Sequence, residues 1–212
     1  MATSNQMDKI KHIVVLMLEN RSLDMVLGNL YSPSNPPPNG NTFEGVLTNQ
    51  LPIPPNYTGV DDSGPTGDSY LPSLSTVMTN PNPDPHEDYH HIYNQLFNPY
   101  PVPASNEIPN TTTPPTMTGF ITDYVTQDPS DPSLVMQGYE PSTLPVLNGL
   151  AASFCVCDNW FSSIPTQTYC NRSYLLAGTS SGYVNNPWTG ADGTNQYFEN
   201  PSKTMFNVLE DN

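Results

Sequence analysis

The stretch His12-Ile13-Val14-Val15-Leu16-Met17-Leu18 is continuously apolar after its first residue and rich in β-branched side chains. Such a run, bounded by polar residues on both sides, is typical of a strand that is buried on both faces of a parallel sheet. It is too short for a transmembrane helix, which needs about 20 apolar residues. The stretch therefore predicts a central strand of an α/β domain.

The composition changes after this strand. Of the 25 prolines, 18 lie between Pro33 and Pro115, among many Asn, Thr, Ser and Gly residues. Because proline lacks a backbone N–H, regular helices and central strands are largely excluded there. Tyr89 to Phe97 nevertheless has the spacing of a short helix. We interpret about 31–116 as an irregular excursion, a packed lid or substrate surround, within one domain that covers residues 1–212.

Regular patterns return in the second half of the chain. Leu144 to Ala152 is predicted to be a helix with Pro145 in its first turn, and Phe154 to Phe161 is predicted to be a strand. A polar turn then leads to a helix at Asn171 to Gly178, which the glycine ends. Thr204 to Leu209 begins an amphipathic helix. A helix that leads into a parallel strand again favours α/β architecture.

The chain is strongly acidic, with a formal net charge of −15 and no Lys or Arg between Ser22 and Asn171. This pattern argues against nucleic acid or an anionic membrane as the partner of a basic patch. No transmembrane segment and no signal peptide are visible. The three cysteines are an odd number, so they imply no disulfide framework, and we expect them to pack in the core.

Polar residues follow both predicted strands. Glu19 and Asn20 come after the first strand, and Thr168 comes after the second and before a predicted helix N-terminus. Ligands bind at this edge of open α/β sheets. Carboxylate and amide oxygens suit a divalent cation, while helix amides and a metal could activate the Thr168 hydroxyl. Arg172 could pair with a phosphate or with a carboxylate.

The same residues could instead have purely structural roles. Asn20 or Ser22 is as readily a helix N-cap, and Glu19 is as readily a solvated turn residue. Thr168 could itself cap the helix that follows it. The residues alone do not decide between a catalytic site and these structural roles.

Three segments resemble the phosphoesterase family of bacterial phospholipase C and acid phosphatase. They are Lys11 to Asp24, Val135 to Ser163, and Asn171 to Ser180. The resemblance implies an alkaline-phosphatase-like fold, a three-layer α/β/α sandwich around a mostly parallel sheet, which this chain would contain only in part. It also implies an acid-amide metal pair at Glu19 and Asn20 and a nucleophile at Thr168. A divalent metal ion of unknown identity is implied as cofactor.

The sequence departs from the family pattern at two places. Thr166-Gln167 and Cys170 replace the usual prolines and glycine around the nucleophile, which leaves Thr166 as a rival to Thr168. Some relatives carry a histidine where this chain has Glu87. The nearby His86, His90 and His91 do not match that position, and we do not assign them to catalysis because a lone histidine is most often structural or exposed.

The resemblance implies metal-assisted hydrolysis of phosphate esters, with a phospholipase C-type phosphodiesterase as the first interpretation and phospholipid as a possible substrate. An acid phosphatase of the same family is the alternative. A catalytically incomplete fragment or a non-catalytic acidic binding module is a further alternative, since the remaining metal-binding aspartates and histidines are expected beyond residue 212. A secreted or periplasmic location is common among such proteins, whereas the sequence itself leaves localisation and oligomeric state open.

Overall fold

Short helices and short strands make up the regular structure of the computed structural model, which describes residues 9–46, 57–61, 64–70, 73–97, 114–187 and 200–211. The α-helices are α1 Leu23–Val26, α2 Tyr89–Phe97, α3 Phe120–Tyr124, α4 Pro145–Ser153, α5 Thr168–Ala177 and α6 Met205–Glu210. The strands are β1 Tyr57–Asp61, β2 Gly64–Tyr70, β3 Ser73–Ser75 and β4 Gln137–Tyr139. Further 3₁₀ helices lie at Pro38–Gly40, Val125–Gln127 and Pro132–Met136.

The strands of the described residues form two separate pairs. β1 and β2 pair antiparallel, while β3 and β4 pair parallel, with Ser73 opposite Gln137 and Ser75 opposite Tyr139. The parallel pair joins segments more than 60 positions apart and brings the middle of the chain onto α1, which packs against β4. The described residues are therefore mixed α/β, as predicted, with a small two-stranded parallel sheet.

Two predicted strands are not strands in the structure. Residues 12–18 have no regular secondary structure, and Val14 is 91% exposed. Residues 154–161 likewise form turns and irregular backbone, with Phe154 at 81% exposure. Both predictions were wrong for this structure because a parallel strand needs hydrogen-bonded neighbours, and no strand of the described residues pairs with either stretch.

The predicted helices are confirmed. α2 has the predicted bounds, and α4 begins at Pro145 as expected for a proline in the first turn. α5 ends before Gly178, whose φ of 72° is the left-handed conformation that favours glycine at a helix end. It begins at Thr168, three residues earlier than predicted. α6 carries a capping box, in which Thr204 and Asn207 satisfy each other's backbone N–H groups.

The proline-rich excursion contains more regular structure than predicted. The β1–β2 pair and β3 lie inside it; each belongs to a two-stranded sheet, so the expectation that prolines exclude central strands is not contradicted by the described residues. β3 is only three residues long, and β1 and β2 form a hairpin with a register shift between Thr58 and Val60. Short paired segments of this kind tolerate the irregular backbone that prolines impose, because they need few consecutive ladder hydrogen bonds. Parts of the excursion, at 47–56 and 98–113, lie outside the described residues.

The best buried part of the described structure surrounds α3, where Ile121 and Tyr124 are almost fully enclosed. The Tyr124 hydroxyl donates a hydrogen bond to the carbonyl oxygen of Pro83 at 2.8 Å. α2 packs against α3, and the Gly119 N–H donates to the Gln95 carbonyl at 3.0 Å. The excursion is therefore attached to α3 by a side-chain hydrogen bond, from Tyr124, and by a backbone hydrogen bond, from Gly119.

Two further features concern the surface. Within the described residues, no helix combines the length and apolar character needed to cross a membrane. All three cysteines are free thiols; Cys170 is buried in α5, whereas Cys155 and Cys157 are exposed. The prediction of core packing is therefore confirmed for Cys170 and wrong for the other two. Their segment lacks the sheet that would have covered it.

We predict that Gly119→Ala destabilises the fold, because a Cβ there would lie 1.9 Å from the Asn94 carbonyl oxygen. Backbone on both sides would have to separate, so we expect a loss of about 1–3 kcal/mol in the free energy of unfolding, measured by urea denaturation.

Gly149→Ala is the matched control, since a Cβ at this α4 position meets nothing within 4 Å. It should be neutral or stabilise by about 0.5–1 kcal/mol, because alanine favours helix over glycine. Equal effects of the two substitutions would contradict the close approach of Gly119 to α2.

Candidate functional site

An ion pair joins the beginning of the chain to α5. Arg172 donates to the same carboxylate oxygen of Glu19, Oε2, from Nε and from Nη2, each at 3.0 Å. Both side chains are partly exposed. The pair brings together two residues that the sequence singled out and that lie 153 positions apart. Both contacts fall on Oε2, and no hydrogen bond or ion pair given for the described residues reaches Oε1 of Glu19.

Asn20 adopts a left-handed backbone with φ of 64°, a conformation that asparagine accepts more readily than most residues. The next residue, Arg21, donates to the carbonyl oxygen of Asn20 at 3.1 Å and to that of Thr79 at 3.4 Å. It also hydrogen-bonds the side chain of Asn80. Arg21 thus ties the Glu19-Asn20 turn to the excursion. Ser22 takes the N-cap role, accepting from the Met25 N–H at 3.1 Å.

Thr168 is the first residue of α5, with Gln167 as its N-cap. It does not act as the cap, so this alternative is excluded. Thr168 and Arg172 are four residues apart on one helix, which places them on the same face. Thr168 therefore lies on the face of α5 whose guanidinium contacts Glu19, at the N-terminal end of the helix, where the positive end of the helix dipole favours an anion.

The turn before Thr168 is held by the side chain of Asn171. Its amide donates to the carbonyl oxygens of Ile164, Thr166 and Gln167 at 3.0, 2.9 and 3.3 Å, and its oxygen accepts from the Ile164 N–H at 3.2 Å. The hydroxyl of the rival nucleophile, Thr166, donates to Asn185 at 3.1 Å. The turn is therefore shaped from within α5, and the Thr166 hydroxyl is engaged in it.

Glu87, an acidic residue of the excursion, lies within electrostatic range of Glu19. Burial raises the pKa of Glu87, and the charges of Asp84, Glu19 and Asp88 raise it further. Because the charge of Glu19 acts on Glu87, the Glu19 carboxylate lies near the segment that precedes α2. The site thus combines a partly exposed ion pair, a helix N-terminus and a concentration of negative charge, which favours a cation.

Two histidines and a buried aspartate form a second polar group next to this segment. His91 Nδ1 lies 2.7 Å from Asp123 Oδ1, and His86 Nδ1 lies 3.9 Å from Asp123 Oδ2. One ligand atom from each of these three residues lies within 4.8 Å of the others, so the group could hold a metal ion. The Asp123 side chain is 2% exposed and also accepts from Gln95 at 2.9 Å.

Burial and repulsion lower the pKa of two of the neighbouring imidazoles, which favours their neutral form. Burial lowers the pKa of His86, and the nearby His91 lowers it further. The pKa of His90 is lowered for the same two reasons. The rings of His86 and His91 stack with centroids 3.5 Å apart. Neutral imidazole is the form that binds metals and that accepts protons.

The sequence had not assigned these histidines to the site and had not singled out Asp123. The available signal was a carboxylate within the mostly apolar and aromatic segment Phe120–Tyr124, together with two histidines five positions apart. Sequence spacing could not show that α2 and α3 would bring them together. By contrast, the predicted Glu19 and Arg172 do meet, and Thr168 starts the helix that carries Arg172.

Comparison with known proteins gives one family and several relatives. Residues 10–212 match the Phosphoesterase family. The chain is 35% identical to non-specific phospholipase C3 of Arabidopsis thaliana over 95% of its own length and 35% of the relative's. It is 34% identical to non-specific phospholipase C1 of the same plant, over 96% of this chain and 33% of the relative. The chain thus spans about a third of the length of these relatives.

We predict that Asn171→Asp destabilises the turn that precedes α5. A carboxylate cannot donate to the three carbonyl oxygens that the amide now contacts, so they would lose their partner and face a negative charge. Thermal unfolding should show a loss of about 2–3 kcal/mol.

The control is Asn159→Asp, at an exposed residue whose side chain has a single long contact of 3.4 Å to Asp158. We expect a change within about 0.5 kcal/mol. A similar small change for Asn171→Asp would show that the turn does not depend on this side chain.

Proposed function

The chain belongs to the Phosphoesterase family, and on that premise we propose that the whole protein is a hydrolase of phosphate esters, of the phospholipase C type. Its substrates would be phosphodiesters, with phospholipids as the class that the names of the relatives suggest. The observation that carries the proposal is the ion pair between Arg172 and Glu19, at 3.0 Å. Arg172 belongs to α5, the helix that begins at Thr168. The pair places a cation and a carboxylate on the face of the helix to which Thr168 also belongs.

Thr168 is the proposed nucleophile. Its hydroxyl oxygen would form a bond to phosphorus as the bond from phosphorus to the leaving alcohol breaks, and the threonine proton would pass to a base or to the departing oxygen. Water then hydrolyses the phosphothreonine and releases the phosphorylated headgroup. The position of Thr168 at the N-terminus of α5 supports this role, because the positive end of a helix dipole stabilises phosphate charge.

A divalent cation, bound by Glu19, Asn20 and Thr168, would supply the Lewis acidity that makes the threonine hydroxyl reactive near neutral pH. The donor set fits such an ion, since it offers carboxylate, amide and hydroxyl oxygens, and both Arg172 contacts leave Oε1 of Glu19 open. The negative charges of Asp84, Glu87 and Asp88 raise the local attraction for a cation.

Arg172 is proposed to bind the substrate phosphate as well as Glu19. A guanidinium has five N–H donors, and the ion pair uses Nε and Nη2, so further donors remain for a phosphate oxygen. The pairing also fixes the direction of the long side chain before substrate arrives, which lowers the entropy cost of binding.

We also propose that residues 1–212 are the N-terminal part of one catalytic domain with a three-layer α/β/α fold. In the whole protein, 12–18 and 154–161 would become strands of its parallel sheet. The exposure of their apolar side chains supports this, with Val14 at 91% and Trp160 at 77%, because such runs are normally covered. Pairing would place Glu19 and Asn20 at the end of a strand.

A phosphomonoesterase that uses the same residues is the alternative, and the names of the relatives favour the phosphodiesterase. A non-catalytic acidic binding module is a second alternative. It would show no turnover of either ester class, whatever metal is supplied.

We predict that Thr168→Ala lowers kcat of the whole protein by about 10³-fold or more, because no other group would replace the attacking oxygen. The measurement is hydrolysis of p-nitrophenylphosphorylcholine and of p-nitrophenyl phosphate, with and without chelator. Faster turnover of the first substrate would identify a phosphodiesterase. Chelator should abolish turnover, and added divalent metal should restore it.

Thr166→Ala is the matched control, two residues earlier, and should keep activity within about tenfold since its hydroxyl contacts Asn185. Loss of turnover in Thr166→Ala but not in Thr168→Ala would identify Thr166 as the nucleophile. Unchanged activity in both variants would rule out a threonine nucleophile at either position.

We predict that amide hydrogens of 13–18 exchange far more slowly in the whole protein than in a chain of residues 1–212, because strand pairing protects backbone N–H groups. Hydrogen exchange followed by mass spectrometry measures this. Peptides from α5, which is regular in the present structure, serve as the internal reference. Fast exchange of 13–18 in the whole protein would contradict the sheet proposal.

A further inference from the structure

The group formed by His86, His91 and Asp123 is built from three different parts of the chain. His86 comes from the excursion before α2, His91 from α2 and Asp123 from α3. Their ligand atoms lie within 4.8 Å of one another. None of these residues belongs to the proposed Glu19, Asn20 and Thr168 set, so the mechanism above does not use them.

We propose that His86, His91 and Asp123 form a second metal site, which takes a borderline divalent ion of the zinc type. Two imidazole nitrogens and one carboxylate oxygen are a common protein ligand set for zinc, and they leave a fourth position for water or for an oxygen of the substrate. The site is separate from the oxygen-only site proposed at Glu19.

The state of the ligands supports binding. His86 Nδ1 is buried and has no hydrogen-bond partner among the described residues, which is a cost that a metal would remove. His91 and Asp123 already lie 2.7 Å apart and would need only a small separation to share an ion.

The surroundings of the group also fit. Gln95 donates from Nε2 to Asp123 Oδ2 at 2.9 Å and to the His86 carbonyl at 3.1 Å. One side chain thus orients a ligand carboxylate and the backbone of a ligand histidine, a kind of support that is usual around metals. The carboxylate of Asp88, which acts on the pKa of His86, adds negative charge that favours a cation.

The test is the number of metal ions that the whole protein binds. Chelator-treated protein is dialysed against zinc chloride at micromolar concentration, and bound zinc is counted by mass spectrometry. We expect His86→Gln and His91→Gln each to bind one ion fewer than the wild type. His90→Gln should keep the wild-type count, since His90 is adjacent on α2 but is not among the three ligands.

His86→Gln is the decisive variant because its Nδ1 makes no hydrogen bond that the metal-free fold would lose. Without metal, its thermal unfolding should change less than that of His91→Gln, since it loses the ring stacking on His91 but no hydrogen bond, while the stabilisation by zinc should fall. His91→Gln removes a 2.7 Å contact to a buried carboxylate and can weaken the fold directly. Gln95→Ala should weaken zinc binding about tenfold without changing the count at saturation.

A cobalt-loaded sample gives an independent readout, since the visible absorption of cobalt reports nitrogen ligands. We expect His86→Gln to lose this band. An unchanged zinc count together with an unchanged cobalt spectrum in both His86→Gln and His91→Gln would overturn the proposal. None of these measurements uses turnover, so a failure of the Thr168 mechanism would not affect the result, and the reverse also holds.

Discussion

The buried carboxylate of Asp123 is the constraint on which the best packed part of this structure depends. A carboxylate enclosed in protein is unfavourable unless its oxygens are paired. Here Oδ1 contacts His91 at 2.7 Å and Oδ2 accepts from Gln95 at 2.9 Å, and both partners lie on α2. Because these bonds must be kept, α2 cannot shift along α3. The close backbone approach at Gly119 reinforces the same arrangement.

The segment before α2 follows from this packing. Gln95 also donates to the His86 carbonyl, Tyr124 donates to Pro83, and Gln127 donates to the Asp84 carbonyl at 2.9 Å. A proline-rich segment that cannot form regular ladders is thus held by side-chain hydrogen bonds to its backbone carbonyls. This placement sets Glu87 near Glu19, so the packing around Asp123 also defines one wall of the proposed phosphoester site.

Charge gives the second long-range connection. The chain has a net charge of −15. Arg172 donates to the Glu19 carboxylate from two of its nitrogens. An exposed pair of this kind contributes little to stability, so its importance lies in position. It directs the beginning of the chain toward the helix that starts at Thr168, while Asn171 shapes the turn before that helix from inside. Two adjacent residues of α5 thus have different structural roles: Arg172 contacts the beginning of the chain, and Asn171 holds the turn before the helix.

The sequence by itself determined the features that depend on nearby residues. Helices α2, α4 and α5 could be predicted because spacing, an early proline and a terminal glycine act within one or two turns. The candidate residues Glu19, Asn20, Thr168 and Arg172 could be named, since they follow apolar runs or precede a helix. The family followed from the same local segments.

Only the tertiary structure decided which distant residues meet. It joined Glu19 to Arg172, brought His86 and His91 to Asp123, and left 12–18 without a paired strand among the described residues. The physical reason is that strand pairing and buried polar clusters are non-local: their free energy arises between segments that no sequence window contains. An apolar run specifies that it should be covered, whereas the partner that covers it is set by the rest of the fold.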